Sequence, residues 1–357
     1  MNTTLASILA FLLSGAMVGL LGMKVVPWLH KLKFGQTILD IGPSWHKQKQ
    51  GTPTMGGIMM IGTAVVVFAV LAIVDALCGG DLLSAGGNVY GVSYAQKVKI
   101  LAGFIMALGF GLIGFLDDYI KVKRKQNEGL TVLQKTLLQV ILCASYIATM
   151  VLSHNTYMFI PFAERWDYGG SIVLYSIFTF VVMYAAVNAV NFTDGIDGLC
   201  SSVTLVAGAG FVAVAYLMDY YGVAMWACIL MGVCAGFLVW NHHPAKVFMG
   251  DTGSMFLGGT VVGLAYALDC PLILLPVGIV YVAEGASDVI QILYFKVTKK
   301  IAQRKDPEAT GKRLFKMAPI HHHFEKCGWS EEKICVVFSV AGLIGAAIAV
   351  LLVAFGQ

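Results

Sequence analysis

The sequence contains little charge, and this scarcity is its most informative feature. Only 12% of the 357 residues are Asp, Glu, Lys or Arg, whereas charged residues make up about 25% of an average soluble domain. Hydrophobic residues account for 58% of the chain, and the mean hydropathy is +0.79. Because so few polar side chains are available to cover a soluble surface, the composition predicts an integral membrane protein.

Several other features are missing. The eight cysteines are scattered, mostly within apolar runs, and form no CxxC pair, so we expect neither a disulfide framework nor a zinc site. The chain has no repeat of fixed period and no linker long enough to separate a soluble domain. No Lys or Arg precedes the first apolar run and no cleavage pattern ends it, which favours a membrane anchor over a removed signal peptide. Residues 1–357 are therefore predicted to form one integral-membrane domain.

Apolar runs that approach the length of a bilayer crossing are abundant. A transmembrane helix needs about 17 to 25 residues. Nine of the runs are free of charge, and the run at 271–295 contains Glu284 and Asp288. We expect an all-α polytopic membrane protein with ten transmembrane helices. The ten runs lie within 1–23, 53–74, 100–116, 136–153, 171–190, 198–218, 223–241, 252–268, 271–295 and 334–357.

Basic residues divide unevenly between the connections. The connections after the odd-numbered runs hold 21 of the 24 Lys and Arg residues, and the others hold Lys97, Lys99 and Arg165. Cytoplasmic connections are enriched in Lys and Arg, so we expect the odd-numbered connections in the cytoplasm and both termini in the periplasm. The resulting basic cytoplasmic face suits anionic lipids and anionic substrates.

Polar motifs gather in these same basic connections. The segment Gly51 to Gly57 reads Gly-Thr-Pro-Thr-Met-Gly-Gly and follows Lys47 and Lys49. Two explanations fit this composition. The segment is either a turn into the second helix or a flexible segment whose lysines contact a phosphate-bearing ligand.

An acidic doublet, Asp117-Asp118, follows the third apolar run and precedes Lys121. The C-terminal end of a helix disfavours each carboxylate by about 0.3 to 1 kcal/mol, so we expect a compensating cation. Solvent and the following lysines can compensate the doublet, but a divalent metal or a role in phosphoryl handling explains the pair better.

Two further segments supply acidic and amide side chains. Asn188 to Gly198 holds two Asn, two Asp and two Gly residues, and Asp251 begins the eighth predicted helix. Helix capping alone would explain Asp197 and Asp251. With the doublet, however, these residues form a set of oxygen ligands reachable from three helix ends. Magnesium usually takes one or two protein carboxylates plus phosphate oxygens, so some of these acids must have other roles.

Histidines and intramembrane acids complete the polar motifs. Three contiguous histidines, His321 to His323, cannot all face one ion from regular backbone, so imidazole beside a diphosphate is favoured over zinc. In the ninth run, Glu284, Ser287, Asp288 and Gln291 share one helical face. A charge at the bilayer centre costs about 2.5 to 3.5 kcal/mol on insertion scales. This face should therefore either line a polar cleft at the cytoplasmic end of the helices or form interhelical hydrogen bonds.

These motifs resemble the bacterial phospho-N-acetylmuramoyl-pentapeptide transferase family over essentially the whole chain. The Asp-Asp-Tyr and Asn-x-x-Asp-Gly-x-Asp-Gly elements are similar to the wider superfamily of polyprenyl-phosphate sugar-1-phosphate transferases. The Ala-Pro-Ile-His-His-His-Phe-Glu run is similar to the muramoyl-pentapeptide branch in particular. The resemblance is carried by Gly51 to Gly57, Phe115 to Tyr119, Asn188 to Gly198, Val247 to Ser254 and Ala318 to Glu325.

The resemblance implies a homodimer in the bacterial inner membrane with a cytoplasmic active-site cleft. Its implied reaction transfers phospho-N-acetylmuramoyl-pentapeptide from UDP-N-acetylmuramoyl-pentapeptide to undecaprenyl phosphate, giving lipid I and UMP, with Mg²⁺ as cofactor and no nucleic-acid partner. This is the first membrane step of peptidoglycan synthesis. The chain departs from the family pattern in the long stretch 299–311 and in Asp288, which stands where the pattern is normally apolar.

The resemblance also implies roles for individual residues. Catalytic roles fall to Asp117, Asp118, Asp251 and His321, and Asp251 and Asn191 are the implied metal ligands. The ring of Phe248 is expected to stack on the uracil. The substrate-binding set comprises Lys49, Thr54, Lys121, Lys125, Lys135, Asn191, Asp194, Gly195, Asp197, Asn241, Phe248, Gln291, His321 and His322.

Chemistry favours a one-step reaction. The second pKa of a phosphate monoester is about 6, so the acceptor is largely dianionic at neutral pH and needs little base catalysis. In-line attack is therefore preferred, with Asp117 and Asp118 orienting the acceptor, and a two-step route through an aspartyl-phosphate is the alternative. A transporter is disfavoured because the polar motifs lie at one surface instead of the midplane. A CDP-alcohol phosphotransferase is disfavoured because the Asp-Gly-x-x-Ala-Arg core is absent.

Overall fold

A computed structural model describes residues 2–32, 49, 51–84, 93–124, 126, 128–163, 166–167 and 171–356. Helices dominate, and the two short strands β1 (Tyr157–Met158) and β2 (Trp166–Asp167) pair antiparallel. The helices are α1 (Thr3–Lys31), α2 (Gly57–Leu77), α3 (Ser93–Arg124), α4 (Val132–Leu152), α5 (Ile172–Phe192), α6 (Leu199–Leu217), α7 (Tyr221–Asn241), α8 (Gly250–Ala267), α9 (Leu274–Val277), α10 (Ile279–Ala302), α11 (Ile320–Glu325) and α12 (Glu331–Gly356).

The all-α membrane architecture is confirmed. Among the described residues, eight helices are long and apolar enough to cross a membrane, and a bent pair formed by Pro271–Val277 and Ile279–Ala302 raises the number to nine. Large apolar side chains remain exposed along these helices, for example Leu133, Ile141 and Ile344. Exposed apolar surface on this scale marks a contact surface, and on helices of membrane-spanning length it indicates contact with lipid. The tenth crossing and the periplasmic position of the termini stay predictions.

Helix α8 coincides with the eighth predicted run but lies in the middle of the bundle. Every residue from Thr252 to Ala267 is buried, so this helix packs against protein along its whole length. Its glycines allow close approach of neighbouring backbones: a Cβ at Gly258 would lie 2.9 Å from the Cα of Val187, and one at Gly259 would lie 2.8 Å from the Cα of Ala107. Small residues replace large apolar ones here, which explains why α8 is not among the span candidates.

The ninth predicted run, 271–295, is not one straight helix. The segment Pro271–Val277 and helix α10 meet at Gly278 with a bend of 86°. A proline, Pro276, lies just before the bend, and a Cβ at Gly278 would lie 2.5 Å from the carbonyl oxygen of Leu274. The bend therefore has the ordinary cause of a proline–glycine pair, and the ninth predicted run corresponds to a bent pair of helices.

The acidic doublet does not lie at a helix end. Helix α3 continues to Arg124, about two turns beyond Asp118. The expected helix-end penalty on the doublet is therefore wrong, because the dipole effect is confined to the last turn. The compensating cation is nevertheless present, since Lys121 lies one turn further along the same helix and forms an ion pair with Asp117.

Polar side chains join the helices at both ends of the bundle. At one end, the ammonium group of Lys99 near the start of α3 pairs with Asp269 after α8 and donates to the hydroxyl of Tyr157, 2.8 Å away. The hydroxyl of Tyr220 donates to the other oxygen of Asp269 at 3.2 Å. The opposite end carries the motifs discussed below, because it joins the C-terminal parts of α3, α5 and α7 to the N-terminal parts of α4, α6 and α8.

Candidate active site

Three carboxylates from two helices form a compact acidic cluster, defined here as Asp117, Asp118 and Asp251. One oxygen from each of the three lies within 4.8 Å of the others. Asp117 and Asp118 come from the C-terminal part of α3, and Asp251 comes from the first turn of α8. The structure thus brings together two motifs that are more than 130 residues apart in sequence.

Two lysines neutralise most of the charge of the acidic cluster. The Nζ of Lys121 lies 3.0 Å from Oδ2 of Asp251 and 4.0 Å from Oδ1 of Asp118, in addition to its pairing with Asp117. The Nζ of Lys135, from the first turn of α4, lies 3.0 Å from the same Oδ2 of Asp251. Counted as fully ionised, the three carboxylates and two ammonium groups have a formal net charge of −1.

The three carboxylates differ in how tightly the protein holds them. Oδ2 of Asp118 accepts hydrogen bonds from the backbone N–H of Thr252 at 2.9 Å and from its hydroxyl at 2.7 Å. Oδ1 of Asp117 accepts from the N–H of Leu130 at 2.8 Å. The Asp117 and Asp118 side chains are each 4% exposed, whereas that of Asp251 is 19% exposed. Asp251 is therefore the carboxylate that a ligand can reach most directly.

Glycine allows the backbones around the acidic cluster to meet. A Cβ at Gly114 would lie 2.0 Å from the backbone oxygen of Asp251, so α3 can approach α8 only without a side chain there. Gly250 has a φ of +69°, in the left-handed region that favours glycine. A Cβ at this position would lie 2.4 Å from Oδ2 of Asp118 and 2.7 Å from the hydroxyl oxygen of Thr54.

Asn191 and Asp194 extend the acidic cluster toward the end of α5. The amide nitrogen of Asn191 donates to Oδ1 of Asp251 at 2.9 Å and to the hydroxyl of Ser254 at 2.7 Å, so Asn191 orients Asp251. The pKa of Asp194, in the loop after α5, is raised well above its usual range, first by burial and then by the negative charges of Asp251 and Asp118.

A second group of charges, the lysine cluster, comprises Lys49, Asp197, His243 and Glu331. The Nζ of Lys49 donates to Oδ1 of Asp197 at 2.7 Å and to Oε2 of Glu331 at 2.6 Å. Oδ2 of Asp197 accepts from the N–H of Ala245 at 2.9 Å and lies 3.1 Å from Nδ1 of His243. Asp197 does not cap α6, whose N-cap is Gly198 in the left-handed conformation; its carboxylate instead joins three segments.

The loop that follows α7 is fixed by backbone contacts. The N–H of Phe248 donates to the carbonyl of Pro53 at 2.8 Å, and the N–H of Gly56 donates to the carbonyl of Phe248 at 2.9 Å. Buried Asn241 accepts from the N–H of Gly198 at 3.1 Å and donates to the carbonyl of Val247 at 3.0 Å. Asn241 therefore holds two loops together, while the Phe248 side chain remains half-exposed beside them.

Each of the first two histidines pairs with a carboxylate. Nδ1 of His321 lies 3.0 Å from Oε2 of Glu284, and both side chains are fully buried. The other ring nitrogen, Nε2, is directed at Gly195, where a Cβ would lie only 2.1 Å from it. Nδ1 of His322 pairs in the same way with Glu325. The pairing of Glu284 with His321 supports the interhelical explanation of the ninth-run acids.

The remaining predicted residues have other surroundings. Both polar atoms of Gln291 are occupied by backbone: its Oε1 accepts from the N–H groups of Leu314 and Phe315, and its Nε2 donates to the Phe315 carbonyl, each at 3.0 Å. Gln291 thus positions the segment before α11. Lys125 lies outside the described residues. Thr54 lies beside Gly250, at the edge of the acidic cluster.

Sequence reasoning missed Thr252 and Glu331. Thr252 directly follows Asp251, and nothing in its type or spacing pointed to Asp118. Glu331 is one of two acidic residues in the first turn of α12, a position where acids ordinarily favour the helix dipole. The only sequence signal was its place just after the histidine motif.

Comparison with known proteins shows which family the chain belongs to. The family model of glycosyl transferase family 4 matches residues 100–269. A phospho-N-acetylmuramoyl-pentapeptide-transferase of Clostridium acetobutylicum is 41% identical over 90% of this chain and 91% of its own length. The relative of the same name from Carboxydothermus hydrogenoformans is 42% identical over 90% of this chain and 91% of its own length. In Bacillus mycoides the identity is 40% over 94% of this chain and 93% of the relative. The chain belongs to the phospho-N-acetylmuramoyl-pentapeptide-transferase family, and it is a membrane-embedded transferase of peptidoglycan synthesis.

Proposed function

We propose that this enzyme transfers phospho-N-acetylmuramoyl-pentapeptide from its UDP derivative to undecaprenyl phosphate, giving lipid I and UMP. The single observation that carries the proposal is the acidic cluster with its two lysines at one end of the bundle. This combination suits a reaction in which phosphate groups must be bound beside a cation. The family relationship supports the choice of donor and acceptor.

The donor set of the acidic cluster fits Mg²⁺. All three groups offer carboxylate oxygens, the ligands that this hard cation prefers. Lys121 already places an ammonium group within 4.0 Å of all three carboxylates, so the site accommodates positive charge. Asp251, the most exposed of the three, would be the principal ligand, with Asn191 beside it. Bound Mg²⁺ would neutralise charge on the phosphoryl oxygens, and it would change the net charge of the cluster from −1 to +1.

The chain's own residues would act mainly by positioning and by charge. Phosphoryl transfer depends on these two effects more than on covalent chemistry. Lys121 and Lys135, which are 33% and 22% exposed, would contact phosphate oxygens from two sides. Asp117 would orient the acceptor phosphate or remove its last proton. Both oxygens of Asp117 and of Asp118 already contact Lys121 or backbone N–H groups. This favours in-line attack by the acceptor over an aspartyl-phosphate intermediate.

The nucleotide would bind beside the loops that follow α5 and α7. Phe248 is half-exposed there and would stack on the uracil. Lys49, Gly195 and Asp197 would contact the uridine. Asp194 is close enough to both groups for its pKa to be raised, after the effect of burial, by the charges of Asp251, Asp118 and Asp197. The histidine segment would face the diphosphate through His322, which is 14% exposed, while fully buried His321 would hold the segment against Glu284 and Gly195.

Donor selectivity is assigned to the basic segment 312–325. The muramoyl-peptide offers amide carbonyls and carboxylates that N-acetylglucosamine lacks, and Lys312, Arg313 and Lys316 would bind them. A site built to pair such groups rejects a donor without them by leaving its own polar groups unpaired. Gln291 holds the backbone of this segment against α10, which would keep its position constant.

We place the enzyme in the bacterial inner membrane as a homodimer, with the acidic cluster on the cytoplasmic face. The division of basic residues between the connections supports this orientation. A cysteine placed near residue 320 should resist membrane-impermeant labelling from outside intact cells. Efficient external labelling there would overturn the orientation.

Donor choice provides the test of the function. Purified enzyme in detergent with Mg²⁺ and undecaprenyl phosphate should release UMP from UDP-N-acetylmuramoyl-pentapeptide and form the lipid-linked product. UDP-N-acetylglucosamine should be a poor donor. Neutralising Lys312, Arg313 and Lys316 should reduce the ratio of kcat/KM between the muramoyl-pentapeptide donor and UDP-N-acetylglucosamine. Equal turnover of the two donors would contradict the assignment to the muramoyl-pentapeptide.

A further inference from the structure

Glu331 occupies a central position in the lysine cluster. Its Oε2 accepts the Nζ of Lys49 at 2.6 Å and also the backbone N–H of Asp197 at 2.9 Å. A single carboxylate oxygen therefore fixes both a lysine side chain and the loop after α5. The Glu331 side chain is only 11% exposed, so these contacts are shielded from solvent and charge-assisted.

The surrounding contacts make this arrangement rigid. Oδ2 of Asp197 contacts the N–H of Ala245 and the ring of His243. The backbone carbonyl of Asp197 accepts a hydrogen bond from the thiol of Cys335 at 3.2 Å. Cys335 lies one turn after Glu331 on α12. The start of α12 is thereby joined twice to the loop after α5, and Glu331 extends that connection to Lys49.

The hydrogen-bond capacity of Lys49 shows what the arrangement can do. An ammonium group has three N–H donors. Two of those of Lys49 go to Asp197 and Glu331, which leaves one for a ligand. The side chain is 16% exposed, so this third donor has an open direction while the other two fix its aim.

We propose that Glu331 is a positioning residue that aims Lys49, and holds the 195–198 loop, for binding the uridine nucleotide. The inference rests on the proposed UDP-linked donor. Glu331 would not touch the reacting atoms, and its effect would pass through Lys49 and the N–H of Asp197. The alternative is that the carboxylates of Asp197 and Glu331 hold Lys49 away from the nucleotide. The two possibilities predict opposite signs: loss of Glu331 weakens nucleotide binding if it positions Lys49 and strengthens binding if it sequesters Lys49.

The test compares Glu331→Gln and Glu331→Asp with the matched control Glu332→Gln. Glu332 is the next residue of the same helical turn, is exposed and undergoes the same change of charge. For each protein we would measure kcat and KM for UDP-N-acetylmuramoyl-pentapeptide at saturating undecaprenyl phosphate. The dissociation constant of UDP and the melting temperature in detergent would be measured on the same samples.

Glu331→Gln should raise both KM and the UDP dissociation constant about tenfold, the effect of losing one charge-assisted contact. Its kcat should change less than about threefold. Glu331→Asp keeps the charge and should recover part of the affinity, whereas Glu332→Gln should stay within about twofold of the wild type.

Three results would overturn the proposal. They are tighter UDP binding by Glu331→Gln, equal effects of Glu331→Gln and Glu332→Gln, and loss of kcat and melting temperature at unchanged KM. A wild-type enzyme that releases no UMP would refute the proposed function. The UDP dissociation constants of the variants would still decide the role of Glu331 in that case.

Discussion

Substitution of Gly114 by alanine tests the contact on which the acidic cluster depends. A Cβ at this position would lie 2.0 Å from the backbone oxygen of Asp251 and 2.3 Å from its carbonyl carbon. Ordinary contact begins near 3.4 Å. Because both atoms belong to the backbone of a buried helix, no side-chain rotation can relieve the overlap. Helices α3 and α8 must therefore separate by about 1.4 Å in a closely packed interior.

This separation moves Asp251 away from Asp117 and Asp118, which belong to the helix that carries Gly114. A misplacement of about 1 Å at a reacting centre can reduce the rate about 100-fold, and overpacking costs about 1 to 3 kcal/mol of stability. We expect Gly114→Ala to lower kcat/KM for UMP release about 100-fold, with a reduced melting temperature.

Gly62 supplies the matched control. It lies within α2, and a Cβ there would have no neighbour within 4 Å, so Gly62→Ala should retain activity and gain up to about 1 kcal/mol from helix propensity. Both variants would be compared by UMP release and thermal unfolding in the same detergent. Wild-type kcat/KM in a folded Gly114→Ala enzyme would refute the idea that this backbone contact sets the geometry of the acidic cluster.

Three other substitutions give distinct outcomes. Asp251→Asn should abolish turnover and weaken the Mg²⁺ dependence, whereas Asp117→Asn should lower the rate with Mg²⁺ affinity largely intact; loss of Mg²⁺ binding in Asp117→Asn would reverse the two roles. Glu284→Leu leaves Nδ1 of buried His321 unpaired and should lower the free energy of unfolding by about 1 to 3 kcal/mol, measured as a fall in melting temperature. An unchanged melting temperature would show that the Glu284–His321 pair does not stabilise the fold. Because the pKa of Asp194 is raised, the folded chain retains a proton that the unfolded chain loses above about pH 4, and stability falls as pH rises. Asp194→Asn should therefore raise the melting temperature of the metal-free enzyme by an amount that grows as the pH rises above about 4, and a pH-independent difference would contradict this.

Much of the site could be predicted because its residues belong to short, compositionally unusual segments. The sequence groups Asp117, Asp118 and Asp251 with the Asn188 to Gly198 segment as one set of oxygen ligands, and the structure brings the three carboxylates within one another's reach. Membrane crossing was readable from hydropathy, since lipid-facing helices must be apolar along their length.

Features that depend on tertiary packing could not be predicted in the same way. The absence of charge that marked the lipid-facing helices also marked the run at 252–268, although the Gly- and Thr-containing surface of α8 faces protein on every side. The continuation of α3 past Asp118 was hidden because Asp117 ends the apolar run without ending the helix, which continues to Arg124. The contact of Glu331 with Lys49 spans 282 positions, and no local pattern encodes such a contact.

Acceptor dependence is the most direct test of one-step transfer at the acidic cluster. Enzyme at high concentration would be mixed with UDP-N-acetylmuramoyl-pentapeptide and Mg²⁺, first without and then with undecaprenyl phosphate, and UMP and lipid product would be counted against enzyme. The account predicts no UMP before the acceptor is added, and then equal amounts of UMP and lipid product. A burst of UMP equal to the enzyme in the absence of acceptor would show a covalent intermediate and contradict the account.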